Sequence, residues 1–184
     1  IEIGRLGGVG VINLEGLWTR YEDPSKAYEE IAQLPSGQAT ARMQELYSEP
    51  IKPDLITERI AEINNAGVIS CASITPQRTE KYAEEILQSE LDVLVIQGTV
   101  VTAEHVSKTK DPLNLKTFVR DFPIPTIVGG CASYEAALHL MRTGAAGILV
   151  GVGPGHACTT RGVLGIGVPQ ATAIADARAA RTRH

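Results

Sequence analysis

"PTIVGGCASYEAALHLMRTGAAGILVG", residues 125–151, holds two apolar runs on either side of one amphipathic segment. "PTIVGG" (125–130) is short and almost wholly apolar, the composition of a strand buried on both faces. Ser133 stands at a helix N-cap position, and Gly144 stands where that helix must stop. "GILVG" (147–151) reads as the next strand. A strand, a helix and a strand so closely spaced predict a parallel β/α/β unit.

The same pattern extends outward. "DVLVIQ" (92–97), "VISCASI" (68–74) and "GVGVIN" (8–13) read as strands. "DPSKAYEEIAQL" (23–34) reads as a helix with Asp23 as N-cap and Pro24 at the first helical position. A second helix is expected from Gln38 to Tyr47. "KPDLITERIAEINNAG" (52–67) starts with Pro53, stops at Gly67 and aligns Leu55, Ile56, Ile60 and Ile63 on one face. Thr75 and Pro76 open a helix ending near Ser89, and the last helix begins near Pro169. Five strands alternating with helices predict a parallel α/β fold. Two closures are open: a doubly wound sheet, or part of a (β/α)8 TIM barrel. No G-x-G-x-x-G opens a helix after the first strand, which weakens the dinucleotide-binding doubly wound reading. A full barrel needs eight strands and about 250 residues, so this would be an incomplete one. "LPSGQ" (34–38) is the best interruption, too short to mark a domain boundary.

Composition excludes several classes. Apolar residues make up 43% and charged residues 21%, so disorder is not the default. The net charge of −4 and the lack of a basic block argue against a nucleic-acid partner. Arg178, Arg181 and Arg183 read as a solvated helix end. No apolar run approaches the roughly 20 residues of a membrane span, and no signal peptide is visible. The chain begins at Ile1, so residues are expected to precede it. Cys71, Cys131 and Cys158 are an odd number without C-x-x-C spacing, which points to a reducing cytoplasm rather than a disulfide scaffold or zinc site.

"GVGPGHACTTRGVLGIGVPQ" (151–170) follows the fifth strand, at the strand end where parallel β/α folds carry their sites. Gly151, Gly153 and Gly155 allow close ligand approach, and such a loop can aim N–H groups at an anion or carbonyls at a cation. Cys158, beside Thr159 and Thr160, can attack an electrophilic carbon once deprotonated. A plain tight turn with Cys158 as filler is the competing reading.

This stretch resembles the active-site loop of the IMP dehydrogenase/GMP reductase family: a Gly-x-Gly-Pro-Gly-type turn, Cys-Thr-Thr-Arg, then Gly-x-Gly-Val-Pro-Gln. "LGGVGVIN" (6–13) resembles that family's second barrel strand, "DVLVIQG" (92–98) its NAD-facing strand and "IVGGCAS" (127–133) the next. "VIQGTVVTAEHVS" (95–107) and the lack of room for CBS domains place the resemblance with a short dehydrogenase-related branch. It implies that residues 1–184 form a partial catalytic barrel domain. It implies that Cys158 attacks C2 of IMP, that hydride passes to NAD, and that hydrolysis of the thioimidate yields XMP. Thr160 would help handle the hydrolytic water. Carbonyls of Gly153, Gly155 and Cys158 would bind K⁺, and Gly151 would lie near the nicotinamide. Gln97, Thr99 and Cys131 take cofactor-side positions, and Gly155 and His156 substrate-side ones. A homotetramer is the family's usual assembly.

Four positions depart from the family pattern. Gln97 replaces an aspartate, Cys131 an asparagine, Leu149 an arginine and His156 a phosphate-binding serine. Gln97 can still bond ribose hydroxyls, and His156 can donate to phosphate. GMP reductase shares the nucleophile, but "GIGVPQ" (165–170) favours the dehydrogenase, because reductases carry an aromatic residue before that proline. A Cys158–His156 hydrolase lacks a third orienting group. A weak nucleotide-binding regulator is the third class. The family's first strand, its phosphate glycines and its mobile flap have no counterpart in residues 1–184, so this piece alone is expected not to turn over.

The remaining residues read as structural. Cys71 and Cys131 are expected to be buried, His139 to be structural or exposed, and His105 to lie on a helix surface. Glu29/Glu30 and Glu84/Glu85 read as helix-face charges. Trp18 marks a loop and a possible interface.

Overall fold

The computed structural model describes residues 1–101 and 113–184. Its elements run α1 (Glu2–Arg5), β1 (Val11–Asn13), a 3-10 turn (Leu17–Thr19), α2 (Ser25–Gln33), α3 (Ser36–Leu46), α4 (Pro53–Asn65) and β2 (Cys71–Ile74). Then follow α5 (Pro76–Thr79), a 3-10 turn (Glu80–Tyr82), α6 (Ala83–Gln88), β3 (Val93–Gln97) and α7 (Leu115–Asp121). The chain closes with β4 (Thr126–Cys131), α8 (Tyr134–Met141), β5 (Gly147–Val150), α9 (Thr159–Leu164) and α10 (Gln170–Arg183). The strand order in the sheet is β1-β2-β3-β4-β5. A doubly wound sheet reverses its strand order at a switch point. Among the described strands no reversal occurs, which is the order of a barrel.

The chain divides into two compact units, residues 1–72 with 82–91 and residues 73–81 with 92–184. In the first, Leu17, Ala27 and Leu46 form a small core closed by Tyr21 and Ile31. Arg20 is buried, and its guanidinium donates to the carbonyls of Glu15, Tyr47 and Glu49. Leu55, Ile56 and Ile60 of α4 are buried as the periodicity requires, and Ile63 is half-buried. Trp18 is half-buried, and its Nε1–H donates to the Asn13 carbonyl at 2.7 Å.

In the second unit, β3 pairs with β4 and β4 with β5, all parallel, with Ile96 opposite Val128 and Val128 opposite Ile148. Leu94, Val95, Ile96 and Val128 are buried, as expected for strands covered on both faces. α10 packs on α8 and buries Ala173, Ala177 and Ala180, whose small side chains permit close approach.

Several boundaries differ from expectation. β1 starts at Val11 rather than Gly8, because the Gly8 N–H turns back to the Ile3 carbonyl at 2.9 Å. β2 starts at Cys71 rather than Val68. α2 starts one residue late: the Asp23 carboxylate accepts the Ser25 N–H at 3.0 Å, ahead of the helix. The helix expected over 75–89 breaks at the buried Tyr82, whose φ of −115° is not helical. α1, α7 and α9 were not foreseen. Ser133 does cap α8, its side chain accepting the Ala136 N–H at 3.2 Å.

Candidate active site

Beyond the strands, the backbone of the second unit goes on pairing. The Gly98 N–H donates to the Gly129 carbonyl at 2.9 Å, the Gly130 N–H to Gly98 at 3.1 Å, and the Gly151 N–H to Cys131 at 2.7 Å. The β4–β5 register slips between Gly129 and Cys131. A Cβ on Gly130 would lie 2.6 Å from the Gly151 carbonyl oxygen, so only glycine allows the two backbones to meet. These strand ends frame a cleft of about 430 Å³ lined by Gln97, Thr99, Leu149, Gly151, Gly153 and Thr160, among others.

Five of the expected residues therefore share one cleft: Gln97, Thr99, Gly151, Gly153 and Thr160. Cys131 does not line it. That residue is 1% exposed, its Sγ donates to the Leu149 carbonyl at 3.5 Å, and burial pushes its thiol above the ordinary value. Cys71 is likewise buried, with its thiol pushed up by burial. Gly155, His156 and Cys158 lie in the loop beyond the cleft wall, where Gly155 and His156 are exposed. His139 is exposed on α8, and His105 lies outside the described residues.

Cys158 is half-buried at the N-cap of α9. Its sulfur makes no capping hydrogen bond of normal geometry. Even so, the backbone N–H of Arg161 faces it and holds the thiol below its ordinary value against a smaller opposing desolvation. The N–H and hydroxyl of Thr160 act in the same direction. Thr160 thus belongs both to the cleft wall and to the surroundings of the sulfur.

The loop is closed by polar ties. The Val168 N–H donates to the Val152 carbonyl, Arg161 Nε to Gly153 and Gln170 Nε2 to Val150, each at 2.9 Å. Sequence reasoning gave Arg161 and Gln170 no role. The one signal on offer was a cationic side chain inside a glycine-rich run.

Residues 1–184 match the family model described as the IMP dehydrogenase / GMP reductase domain. The chain belongs to that family. It is 44% identical over 190 residues to an uncharacterized oxidoreductase of Mycolicibacterium smegmatis, covering 100% of this chain and 51% of the relative. It is similar to the IMP dehydrogenase/GMP reductase-like protein of Corynebacterium glutamicum, with a TM-score of 0.89 and 41% identity over 99% of this chain and 48% of the other. The inosine-5'-monophosphate dehydrogenase of Staphylococcus aureus is 31% identical over 69% of this chain and 27% of that enzyme. The GMP reductase of Trypanosoma brucei superposes with a TM-score of 0.52 and 33% identity over 63% of this chain and 27% of that one. The chain spans about half the length of the M. smegmatis and C. glutamicum relatives. Its five-stranded parallel sheet is part of the family's (β/α)8 barrel. Among the described residues, no helix is long and apolar enough to cross a membrane, and no cluster of three His, Cys, Asp or Glu is placed to hold a metal ion.

The IMP dehydrogenase / GMP reductase family implies NAD and K⁺. The cleft presents amide and hydroxyl groups from Gln97, Thr99 and Thr160, and among the described residues no carboxylate lines it. Such groups suit ribose hydroxyls and a carboxamide, and the volume suits part of a dinucleotide. The residues fit NAD. The three carbonyls assigned to K⁺ are not equivalent: each accepts one hydrogen bond from this chain, but only Gly153 accepts it from a charged group. Gly153 accepts from Arg161 Nε at 2.9 Å, Gly155 from the Cys158 N–H at 3.4 Å and Cys158 from the Gly162 N–H at 3.0 Å. The permanent charge of the Arg161 guanidinium on the Gly153 carbonyl opposes a second cation there, so the set does not fit a bound K⁺ with that side chain in place.

Proposed function

We propose that this chain forms part of a catalytic barrel that oxidises IMP to XMP through Cys158. The carrying observation is that the residue beside the cleft with a lowered thiol, Cys158, shares Thr160 with the cleft wall. As a thiolate, the Cys158 sulfur forms a bond to C2 of the hypoxanthine ring. NAD held in the cleft beside Gln97, Thr99 and Gly151 would supply the acceptor for the hydride that leaves C2. The resulting thioimidate is then hydrolysed: water adds at C2, the C–S bond breaks, and XMP leaves as the thiol is restored. A thiolate suits both steps, being nucleophilic and able to depart.

The other roles follow from placement. Thr160, facing both sulfur and cleft, steers the hydrolytic water. Gln97 and Thr99 orient the cofactor by hydrogen bonds where the family uses a carboxylate, which predicts a raised NAD requirement. Cys131 acts on that side through packing alone, and Gly151 leaves room for the nicotinamide. Gly155 and the exposed His156 face the substrate phosphate. The assembly in this reading is the family's homotetramer.

Reductive deamination of GMP is the second reading, favoured by the likeness to the T. brucei reductase. The protein is assayed with IMP and NAD and, separately, with GMP and NADPH. XMP and NADH in the first assay support the proposal. NADPH consumption with GMP, and no XMP, would reverse the assignment.

A further inference from the structure

We infer that Arg161 supplies, from within the chain, the positive charge that orients the Cys158 loop, in place of a bound monovalent cation. The inference rests on the reading of residues 151–170 as the reactive loop. A cation site built from backbone needs carbonyls that converge away from other positive charge. Here the Gly153 carbonyl is turned onto the Arg161 guanidinium, with Nε at 2.9 Å. The carbonyls of Gly155 and Cys158 each accept one backbone N–H, from Cys158 and Gly162, and keep a second lone pair, so the charge at Gly153 is what decides the site. A guanidinium keeps its charge at every working pH. A K⁺ on the Gly153 carbonyl would therefore sit beside a permanent like charge.

The loop is shaped around this side chain. A Cβ on Gly167 would fall 2.7 Å from Arg161 Nε, 2.8 Å from its Cζ and 2.5 Å from the Gly153 oxygen. Glycine at 167 is what leaves space for the guanidinium to lie against that carbonyl. Gly153 has φ +55°, and a Cβ there would stand 2.4 Å from the Ile166 carbonyl oxygen. The Val168 N–H, bonded to the Val152 carbonyl at 2.9 Å, holds the returning segment in place. Arg161 thus acts on the loop from α9, the helix that Cys158 caps: its side chain ties that helix to Gly153. One residue couples the loop's closure to the thiol. Arg161 is solvent-exposed, so a cation from solution can reach the same carbonyl once the side chain is removed. It is a positioning residue, since it acts through Gly153 and Cys158.

The test measures the rate at which iodoacetamide alkylates Cys158 while K⁺ replaces tetramethylammonium at constant ionic strength, up to about 0.15 M. Cys71 and Cys131, 2% and 1% exposed, do not compete for the reagent. Thallium(I), a K⁺ surrogate followed by its NMR linewidth, reports cation binding directly. The wild-type protein is expected to react at one rate throughout and to show no saturable thallium binding. Arg161→Ala is expected to react several-fold more slowly without K⁺, because α9 loses its tie to Gly153 while the backbone donors to the sulfur remain. K⁺ should restore its rate, and the variant should acquire saturable thallium binding. Arg161→Lys keeps the charge and should remain indifferent to K⁺. A saturable K⁺ response in the wild type overturns the inference, as does an Arg161→Ala protein that keeps the wild-type rate or that K⁺ does not restore. Should Arg161→Ala fail to fold, a K⁺ response in wild type or Arg161→Lys still decides against it. None of these readouts needs IMP or NAD. A protein with the expected pattern that makes no XMP would refute the proposed activity alone.

Discussion

Cys131, at the end of β4, and Cys158, in the loop after β5, are the same side chain in two solvents. Around Cys131 the sheet supplies apolar neighbours, a slipped register and one weak acceptor, the Leu149 carbonyl. Burial there raises the thiol and hides it. Around Cys158 the loop supplies amides: the Arg161 N–H first, then the N–H and hydroxyl of Thr160. Those donors favour the thiolate, and the residue is half open to reagents. Reactivity in this chain is therefore set by backbone donors at a strand end, while the neighbouring strand uses cysteine as packing.

Four substitutions break or sharpen that contrast. Cys158→Ala has the largest expected effect: in the full-length protein, turnover of IMP falls on the order of 10⁴-fold or more. Nucleotide binding, followed by titration, persists. Near-normal turnover would show that the two cysteines do not differ in the way argued. Gly153→Ala comes next. Its φ of +55° and the 2.4 Å approach to the Ile166 oxygen force the loop to move. Misplacement of this kind costs about 10²-fold in turnover, and Cys158 should alkylate more like a free thiol. An unchanged rate would mean that loop geometry does not govern the sulfur.

Thr160→Val is a smaller change, read in the pH profile. The pKa of Cys158 lies below that of an ordinary thiol, so its alkylation rate rises through a lower pH than a free thiol's and levels off above it. Losing the hydroxyl donor moves that midpoint upward. The Arg161 N–H, the largest cause, remains, so the midpoint stays below an ordinary thiol's. A midpoint that does not move would remove the Thr160 hydroxyl from the account. Cys131→Ala is expected to change turnover by no more than about twofold and stability by about 1 kcal/mol, checked by kinetics and by denaturant unfolding. A large loss of turnover with intact stability would give Cys131 the direct role that its burial argues against.

Legibility in the sequence followed the range of the interactions. β3, β4, β5 and the Ser133 cap were readable because their signals lie within a few residues: continuous apolar runs, a capping side chain and a stopping glycine. The Asn114 cap of α7 was equally local, its Oδ1 accepting the Thr117 N–H at 3.1 Å, and it could have been found. The break at Tyr82 could not, because the helical pattern runs on through 75–89 and only the burial of that ring interrupts it.

The sequence by itself determined the strand–helix alternation, the glycine-rich strand end and the position of Cys158 within it, because periodicity, caps and turn residues act over short distances along the chain. The tertiary structure decided which expected residues share a cleft, which cysteine is hidden, and which donor meets the Gly153 carbonyl. These depend on parallel register and on a loop returning to its own start. Such contacts join Arg161 to Gly153, Val168 to Val152 and Gln170 to Val150 only once the backbone has closed.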